Sequence, residues 1–422
     1  MPATIAVVGT GYVGLTTGVG FAHLGHQVVC ADIDPAKITK LQAGQVPIHE
    51  ANLPELLAEA QAANRIHFVH GAETAVTGAE FVFLCLPTPK GESGEPDMGA
   101  VHAVAETIGP LLPPGTVVVN KSTVPIGASR TVAAALGRPD CPVVSNPEFL
   151  REGSAMFDVL NPQRIVVGAD ENATAARVAD LYRDLDCPVV LTDPASAEAC
   201  KYAANAFLAM KLSFVNTMAA VCEAFGADIE AVTRAMGYDE RIGPHFLVPG
   251  PGFGGSCFPK DTQALITQAE RHDIDVDLLR DIIAANEQQF DRVVTKVAAV
   301  TALDQATVAV LGLTFKAGTD DTRDSPALAI IDRLLQQGAK VHAHDPALTN
   351  APGDVEFFSD PYLAATGADA IIIATEWPEY ADLDLARLAD VVGNRHLIDT
   401  RNLLTRAAAE AHGFTYQSTG RA

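Results

Sequence analysis

The chain has 422 residues, 48% of them hydrophobic, and 52 acidic against 29 basic side chains leave a net charge of −23. This length exceeds what one hydrophobic core organises, so two or three domains are expected. The charge, with no Lys/Arg-rich run, argues against nucleic acid or anionic lipid as partner, so an anionic ligand must be held by local groups. The start "MPATIAVVGTGYVG" passes directly into a folded motif without the features of a signal peptide, and no apolar run reads as membrane-spanning, so a cytoplasmic protein is expected. Seven scattered cysteines without CxxC spacing suggest neither a disulfide framework nor a metal site.

The first unit reads strand "TIAVV", turn "GTGYVG", amphipathic stretch "LTTGVGFAHLG" and strand "QVVCADID", a βαβ arrangement. Gly9, Gly11 and Gly14 fit GxGxxG in the required context: the first for the tight turn, the second for approach of backbone to a pyrophosphate, the third for packing of helix on strand. Phosphates would lie at the helix N-terminus, where free N–H groups and the macrodipole favour anions. Asp32 closes the second strand, where a carboxylate accepts hydrogen bonds from a ribose diol and repels a 2′-phosphate, so NAD is expected rather than NADP. Lys37 either reaches the same ribose or is a solvated lysine at a helix start.

Further strands are expected at 81–86, 116–123 and 141–149, giving a doubly wound sheet to about residue 190. Ligands in such sheets bind beyond the carboxyl ends of strands. That rule brings Thr88, Thr123, Glu148 and Glu152 towards one cleft, although each taken singly reads as a turn or cap residue.

Residues 195–226 predict one long helix, apolar nearly all round and therefore central. Lys201, Asn205, Leu208, Leu212, Val215 and Ala219 share a face, and Phe207, Met210, Phe214 and Met218 line a neighbouring one. Lys201 and Asn205 are polar intrusions on a buried stripe, which points to a cleft function, with Glu198 as a candidate partner for the ammonium. A snorkelling lysine is the alternative.

After a helical region to about 303, a second α/β pattern has strands near 307–311, 340–344, 369–374 and 396–399. "TGADAIII" echoes "TGAEFVFL", and "HAHDP" echoes "CADIDP", so both halves are expected to use the same kind of sheet. Gly312 alone follows the first strand here, so this half should not grip a dinucleotide as the first does. Lys316 and Arg401 lie just past strand ends, where a phosphate or sugar hydroxyl would be met. Lys316 also has acidic neighbours with which to pair.

The stretch "GFGGSCFPKD" surrounds Cys257 with glycines that allow close approach to a ligand, and adds Lys260 and Asp261. A thiol nucleophile used with a dinucleotide implies aldehyde oxidation through a thiohemiacetal and a thioester. Lys260 would favour the thiolate, and Asp261 would orient water or a proton. An incidental cysteine in a glycine-rich turn is the alternative.

"GTGYVGL", "KSTVPIG", "NPEFLREG", "KYAANAFLAMK", "RIGPHF", "GFGGSCFPKD", "LGLTFKAGTDDTRDSP" and "IDTRN" follow one another along the chain. With these motifs the sequence resembles the UDP-glucose/GDP-mannose dehydrogenase family, on its UDP-glucose 6-dehydrogenase side, over nearly its whole length. The resemblance implies an α/β protein of two Rossmann-like doubly wound domains joined by a central long helix and a helical dimerisation region. The corresponding ranges are 1–194 for NAD, 195–303 for the centre and 304–422 for the UDP-sugar. It implies oxidation of UDP-glucose at C6 to UDP-glucuronate with two NAD⁺, and Cys257 as nucleophile. Lys201 and Asn205 would steady the oxyanion, Asp261 would assist water or proton transfer, and Thr123, Glu148 and Glu152 would position water and substrate and supply a base.

Cofactor contacts are implied for Gly9, Gly11, Tyr12, Val13, Gly14, Asp32, Lys37, Thr88, Thr123 and Glu152. Substrate contacts are implied for Glu148, Phe149, Leu150, Lys201, Asn205, Phe246, Leu247, Gly254, Phe315, Lys316 and Arg401. Arg241 would reach the neighbouring subunit's site in a homodimer, and no metal is implied. Pro87 stands where many relatives have glycine, which bears on Thr88. GDP-mannose 6-dehydrogenase, or another nucleotide-sugar 6-dehydrogenase, is the near alternative. A catalytically silent NAD-binding sensor is the distant one.

Overall fold

Runs of β-branched and small apolar residues open each of two sheets: TIAVV forms β1 (Thr4–Val8) and TVAVL forms β9 (Thr307–Leu311), both buried along nearly their whole length. Such continuous burial is what a strand covered by helices on both faces requires. The computed structural model describes residues 2–91, 94–353 and 355–421. The chain divides into two compact units, Met1–Ala204 with Gln263–Asp273, and Asn205–Thr262 with Ile274–Ala422.

The first unit holds β1, β2 (Gln27–Asp32), β3 (Ile66–His70), β4 (Phe81–Leu84), β5 (Val117–Asn120), β6 (Val143–Ser145), β7 (Ile165–Gly168) and β8 (Val189–Thr192). Their order is β3-β2-β1-β4-β5-β6-β7-β8, parallel except for the β6–β7 pairing. The strands expected at 116–123 and 141–149 are shorter at both ends. Their C-terminal residues leave the sheet as loops carrying Thr123 and Glu148. β3, β7 and β8 were not expected as strands.

The second unit holds β9, β10 (Lys340–His344), β11 (Glu356–Phe357), β12 (Ala370–Ile373), β13 (His396–Asp399) and β14 (Thr415–Ser418). All pair in parallel in the order β11-β10-β9-β12-β13-β14, which repeats the 3-2-1-4-5-6 order of the first six strands of the other sheet. β11 and β14 extend the expected set.

Six helices matter for the site: α1 (Tyr12–His23), α2 (Ala128–Leu136), α3 (Pro194–Phe225), α4 (Phe258–Glu270), α5 (Asp277–Ala298) and α6 (Pro326–Gln336). Contrary to the sequence expectation, α3 is long and apolar enough to cross a membrane by length and composition. Its buried Glu198, Lys201, Asn205 and Asn216 all bond to protein groups, which marks a core helix. Nor is it buried all round. Val215 and Ala219 are buried on the stripe that begins at Lys201 and Asn205, but Phe207, Phe214, Val221 and Phe225 are exposed.

Candidate active site

In the first unit, the chain turns from β1 into α1 through Gly9, whose φ of 96° suits glycine alone. A Cβ on Gly14 would lie 1.9 Å from the Gly9 carbonyl oxygen, so α1 starts hard against the turn, whereas a Cβ on Gly11 would meet nothing within 4 Å. Gly11 is the N-cap of α1 and no side chain caps it, so the first amides of the helix are left for an anion. Asp32, at the end of β2, accepts from the Thr10 amide at 2.9 Å, the Thr10 hydroxyl at 2.6 Å and Lys37 Nζ at 3.1 Å. Burial works to raise its pKa, but these bonds and the Asp34 amide outweigh it and hold the carboxyl at about 2. The open space at Gly11 and the oriented carboxylate fit the pyrophosphate and ribose of a dinucleotide.

Tyr12 donates to the Glu50 carboxylate and accepts from the Gly153 amide, so the helix start is tied to the loop after β6. Val13 packs on the core of the same sheet. Thr88 donates to the Thr123 carbonyl at 2.9 Å, so both threonines stand together beyond β4 and β5, with Pro87 accommodated. Glu152 contributes to the field at Tyr12.

Lys201 is 3% exposed, and its ammonium donates to Glu148 Oε1 at 2.7 Å. The expected partner, Glu198, is bonded elsewhere, because it accepts from Gly127, Ser129 and Ser145. Burial pushes the Glu148 pKa up, but Lys201, the Leu150 amide at 2.6 Å and Lys121 prevail and keep it below the ordinary range. Removing one partner of such a buried pair typically costs about 3–5 kcal/mol, because the other charge is left uncompensated. Phe149 carries the Arg164 guanidinium 3.5 Å above its ring and has Lys201 Nζ at 5.6 Å. Leu150 is half-buried beside this pair.

Two residues next to this group were missed. Lys121 is buried, donates to Asn146 at 3.1 Å and is held down at about 8 by its burial. Asn120 is 2% exposed and, among the described residues, neither of its side-chain polar atoms has a hydrogen-bond partner. Both occur in the run "VVVNKS", where a polar pair directly after a buried strand was the available signal.

In the second unit, Cys257 is half-buried directly before α4, where peptide dipoles favour an anion. Its carbonyl accepts the Asp261 amide at 2.8 Å, so thiol and carboxylate are one helical turn apart. Asp261 has no exposed surface; Asn205 Nδ2 donates to one oxygen at 2.6 Å and Lys260 Nζ to the other at 2.6 Å. Lys260, expected beside the thiol, is therefore bonded to Asp261. A Cβ on Gly254 would lie 1.9 Å from the Asp324 carbonyl oxygen, and one on Gly255 would lie 2.8 Å from the Phe315 ring. These glycines bring the loop against protein backbone and an aromatic ring, a packing role beside the ligand approach expected of them.

Buried amides that the sequence did not single out brace the same loop. Asn286 on α5 bonds both polar backbone atoms of Phe253, Gln289 donates to the Gly250 carbonyl, and Asn216 on α3 accepts the Gly250 amide. Phe246, at φ 59°, meets Phe258 edge to face, and Leu247 is buried. Arg401 donates to the Ala374 carbonyl at 2.9 Å and to the Phe315 carbonyl at 3.2 Å, and Lys316 Nζ lies 5.6 Å from the Phe315 ring centroid. Phe315, Lys316 and Arg401 are thus assembled beyond β9, β12 and β13. Arg241 pairs with Asp239 at 2.6 Å on the surface.

Models of the UDP-glucose/GDP-mannose dehydrogenase family match the chain in three parts: the NAD binding domain over residues 3–186, the central domain over 195–288 and the UDP binding domain over 309–406. UDP-glucose 6-dehydrogenase of Rhizobium meliloti strain 1021 is 44% identical across 99% of both chains. UDP-glucose 6-dehydrogenase TuaD of Bacillus subtilis strain 168 is 43% identical across 99% of this chain and 93% of its own length. Among solved structures, a UDP-glucose dehydrogenase from the hyperthermophilic archaeon Pyrobaculum islandicum superposes with a TM-score of 0.90 at 36% identity, over 100% of this chain and 98% of the other. With a glycine turn and acid fit for NAD and matches that run from end to end, the chain belongs to the UDP-glucose/GDP-mannose dehydrogenase family and is an NAD-dependent dehydrogenase.

Proposed function

We propose that the chain oxidises the C6 alcohol of UDP-glucose to the carboxylate of UDP-glucuronate in two two-electron steps. The observation that carries this reading is the cluster at the start of α4, where Cys257 lies one turn from a fully buried Asp261 held by Asn205 and Lys260. The relatives named UDP-glucose 6-dehydrogenase support UDP-glucose as the sugar nucleotide. The turn at Gly9, Gly11 and Gly14 would hold NAD⁺ with Asp32 towards its ribose, and the cofactor would supply the hydride acceptor for both oxidations.

In this reading the C6 hydroxyl passes its proton by way of water to Asp261 as hydride leaves C6 for NAD⁺, and Lys201 and Asn205 stabilise the oxyanion that develops. Once the aldehyde has formed, the Cys257 thiolate adds to its carbon, making a C–S bond and a thiohemiacetal. Loss of hydride from that carbon leaves a thioester. Water, positioned by Thr123, attacks the carbonyl; the C–S bond breaks, the thiolate departs and the acid is released. Glu148 holds Lys201, and Glu152 takes the water's proton while Asp261 steadies the transfer. Phe149, Leu150, Phe246, Leu247, Gly254, Phe315, Lys316 and Arg401 are assigned to the nucleotide sugar.

The working form in this reading is a cytoplasmic homodimer, with Arg241 reaching the neighbouring subunit's site. The exposed Phe207, Phe214, Val221 and Phe225 on α3 support such an interface, since a contiguous apolar stripe of this kind usually marks a protein contact. The test is NADH formation with UDP-glucose, GDP-mannose and UDP-N-acetylmannosamine supplied separately. Turnover of UDP-glucose ahead of the others is expected. Preference for GDP-mannose would transfer the assignment to that nucleotide sugar, and NADH from none would leave an NAD-binding protein without this activity.

A further inference from the structure

Glu198 lies one turn before Lys201 on α3 and is 3% exposed, yet none of the chemical steps proposed for the site uses it. Its carboxylate joins three elements of the first unit. Oε2 accepts the Gly127 amide at 2.5 Å; Oε1 accepts the Ser129 amide at 3.1 Å, the Ser129 hydroxyl at 2.5 Å and the Ser145 hydroxyl at 2.8 Å. Gly127 and Ser129 open α2, and Ser145 ends β6. A buried carboxylate is tolerated when donors fill its lone pairs, and the start of α2 adds dipoles that favour the anion.

Two more bonds hold the same stretch. Tyr202, on α3, donates its hydroxyl to the Val124 carbonyl at 3.0 Å, and Gln268 on α4 accepts the Ile126 amide at 2.7 Å. The segment so fixed begins beside Thr123, whose carbonyl in turn holds the Thr88 hydroxyl. Lys201 is three residues from Glu198 on the same helix. Glu198 and Tyr202 thus tie the stretch that follows Thr123 to the helix that carries Lys201.

We propose that Glu198 is a positioning residue that locks residues 122–129 to the helix carrying Lys201 and so fixes Thr123 for the hydrolytic step. This rests on the proposed function, in which Thr123 positions the water that cleaves the thioester on Cys257. Lys201 keeps its own bond to Glu148 when Glu198 is altered, so both hydride-loss steps persist while water attack is misaligned. A misplacement of about 1 Å in a reacting group costs about 100-fold in rate.

The test is Glu198→Gln, which keeps the shape but turns an amide donor towards a donor of the Gly127–Ser129 set. Steady-state turnover should fall about 100-fold, with kcat/KM for UDP-glucose near wild type and its apparent KM lowered in step, because hydrolysis after the hydride losses has become limiting. NADH formed in the first turnover should appear at nearly the wild-type rate, followed by an acyl adduct on Cys257 visible by intact mass. Ser145→Ala, which removes one of the four bonds and leaves the α2 amides in place, should show the same adduct with a loss of about fivefold, the size of one hydrogen bond. Amide exchange at Gly127 and Ser129 should quicken in Glu198→Gln.

The proposal is overturned if folded Glu198→Gln turns over at the wild-type rate without adduct. It is equally overturned if every step slows alike and Ser145→Ala leaves hydrolysis untouched, since the carboxylate then only holds the fold. A wild-type protein that makes no NADH from any nucleotide sugar fails at the proposed function and removes both.

Discussion

In the first sheet the Gly9 amide donates to the Ala31 carbonyl at 2.8 Å and the Thr10 amide to Asp32 at 2.9 Å; in the second the Gly312 amide donates to His344 at 2.7 Å and the Leu313 amide to Asp345 at 2.7 Å. The same frame of glycine, turn and acid is built twice, with Gly9 at φ 96° and Gly312 at φ 97°. The two frames part company immediately after that glycine. α1 starts directly after Gly11, so its free amides lie at the strand end, whereas α6 starts only after the segment 312–325. Asp32 keeps a partly exposed carboxylate beside Lys37. Asp345 is 2% exposed; Thr314 and the Trp377 indole also bond its Oδ2, and the Ala347 amide takes Oδ1. One frame is open to a dinucleotide and the other is sealed by its own loop. A shared strand order therefore says little about ligands; the distance from strand end to helix start decides.

The largest effect should come from Cys257→Ser, because the chemistry is assigned to a loop pressed on the second unit's own backbone, whereas the turn of the first unit only holds the cofactor. Turnover to the acid should fall by orders of magnitude, since a serine alkoxide forms poorly near neutral pH and its ester hydrolyses slowly. NAD⁺ and UDP-glucose affinity should be retained, and mass spectrometry should find an ester on residue 257. Near wild-type synthesis of UDP-glucuronate would make the thiol structural.

Next in size is a matched pair at the two turns. Gly11→Asp should fold normally, because its Cβ meets nothing and Asp is a good N-cap, yet it should weaken NAD⁺ binding about 100-fold or more by placing a charge beside the pyrophosphate. Gly312→Ala should do the reverse. Its Cβ would lie 2.4 Å from Thr375 at a φ that L residues avoid, so stability should drop by about 1–3 kcal/mol or more while NAD⁺ affinity in the folded fraction is unchanged. Calorimetry and thermal melts of both variants would blur the contrast if either lost both properties.

The smallest effect concerns pH. Asp32 is held at about 2 against an ordinary 3.8, so its folded-state pKa is depressed and its contribution is present in full above 3.8 and lost as pH falls through about 2. That contribution is about 2 kcal/mol at most. Urea unfolding of wild type and Asp32→Asn should give stabilities that converge as pH falls from about 5, by about this amount. A gap independent of pH would mean that the Thr10 and Lys37 bonds do not depress the carboxyl.

The sequence carried the features that are local or periodic. The glycine turn with Asp32 and the Lys201–Asn205 intrusion on α3 are set by spacing alone, and the structure has both. The echo between the halves was legible too, but its text alignment pairs Asp345 with Asp34, whereas the register pairs Val8 with Ala31 and Leu311 with His344 and so matches Asp345 to Asp32. Missed features depend on partners far along the chain. Lys201 chose Glu148 over Glu198 because β6 delivers Glu148 to it, and Glu198 was claimed by the start of α2. β8 carries no alternation because Val189, Val190 and Leu191 are all exposed. Asn286 and Gln289 look like ordinary amides on a helix until the loop they brace is in place.

Calorimetric titration of the chain with NAD⁺ tests the division between the two frames most directly. One site per chain is expected in the wild type, retained in Cys257→Ser and in Gly312→Ala and lost in Gly11→Asp. Two equivalent sites per chain, or a single site that survives Gly11→Asp unchanged, would contradict the division.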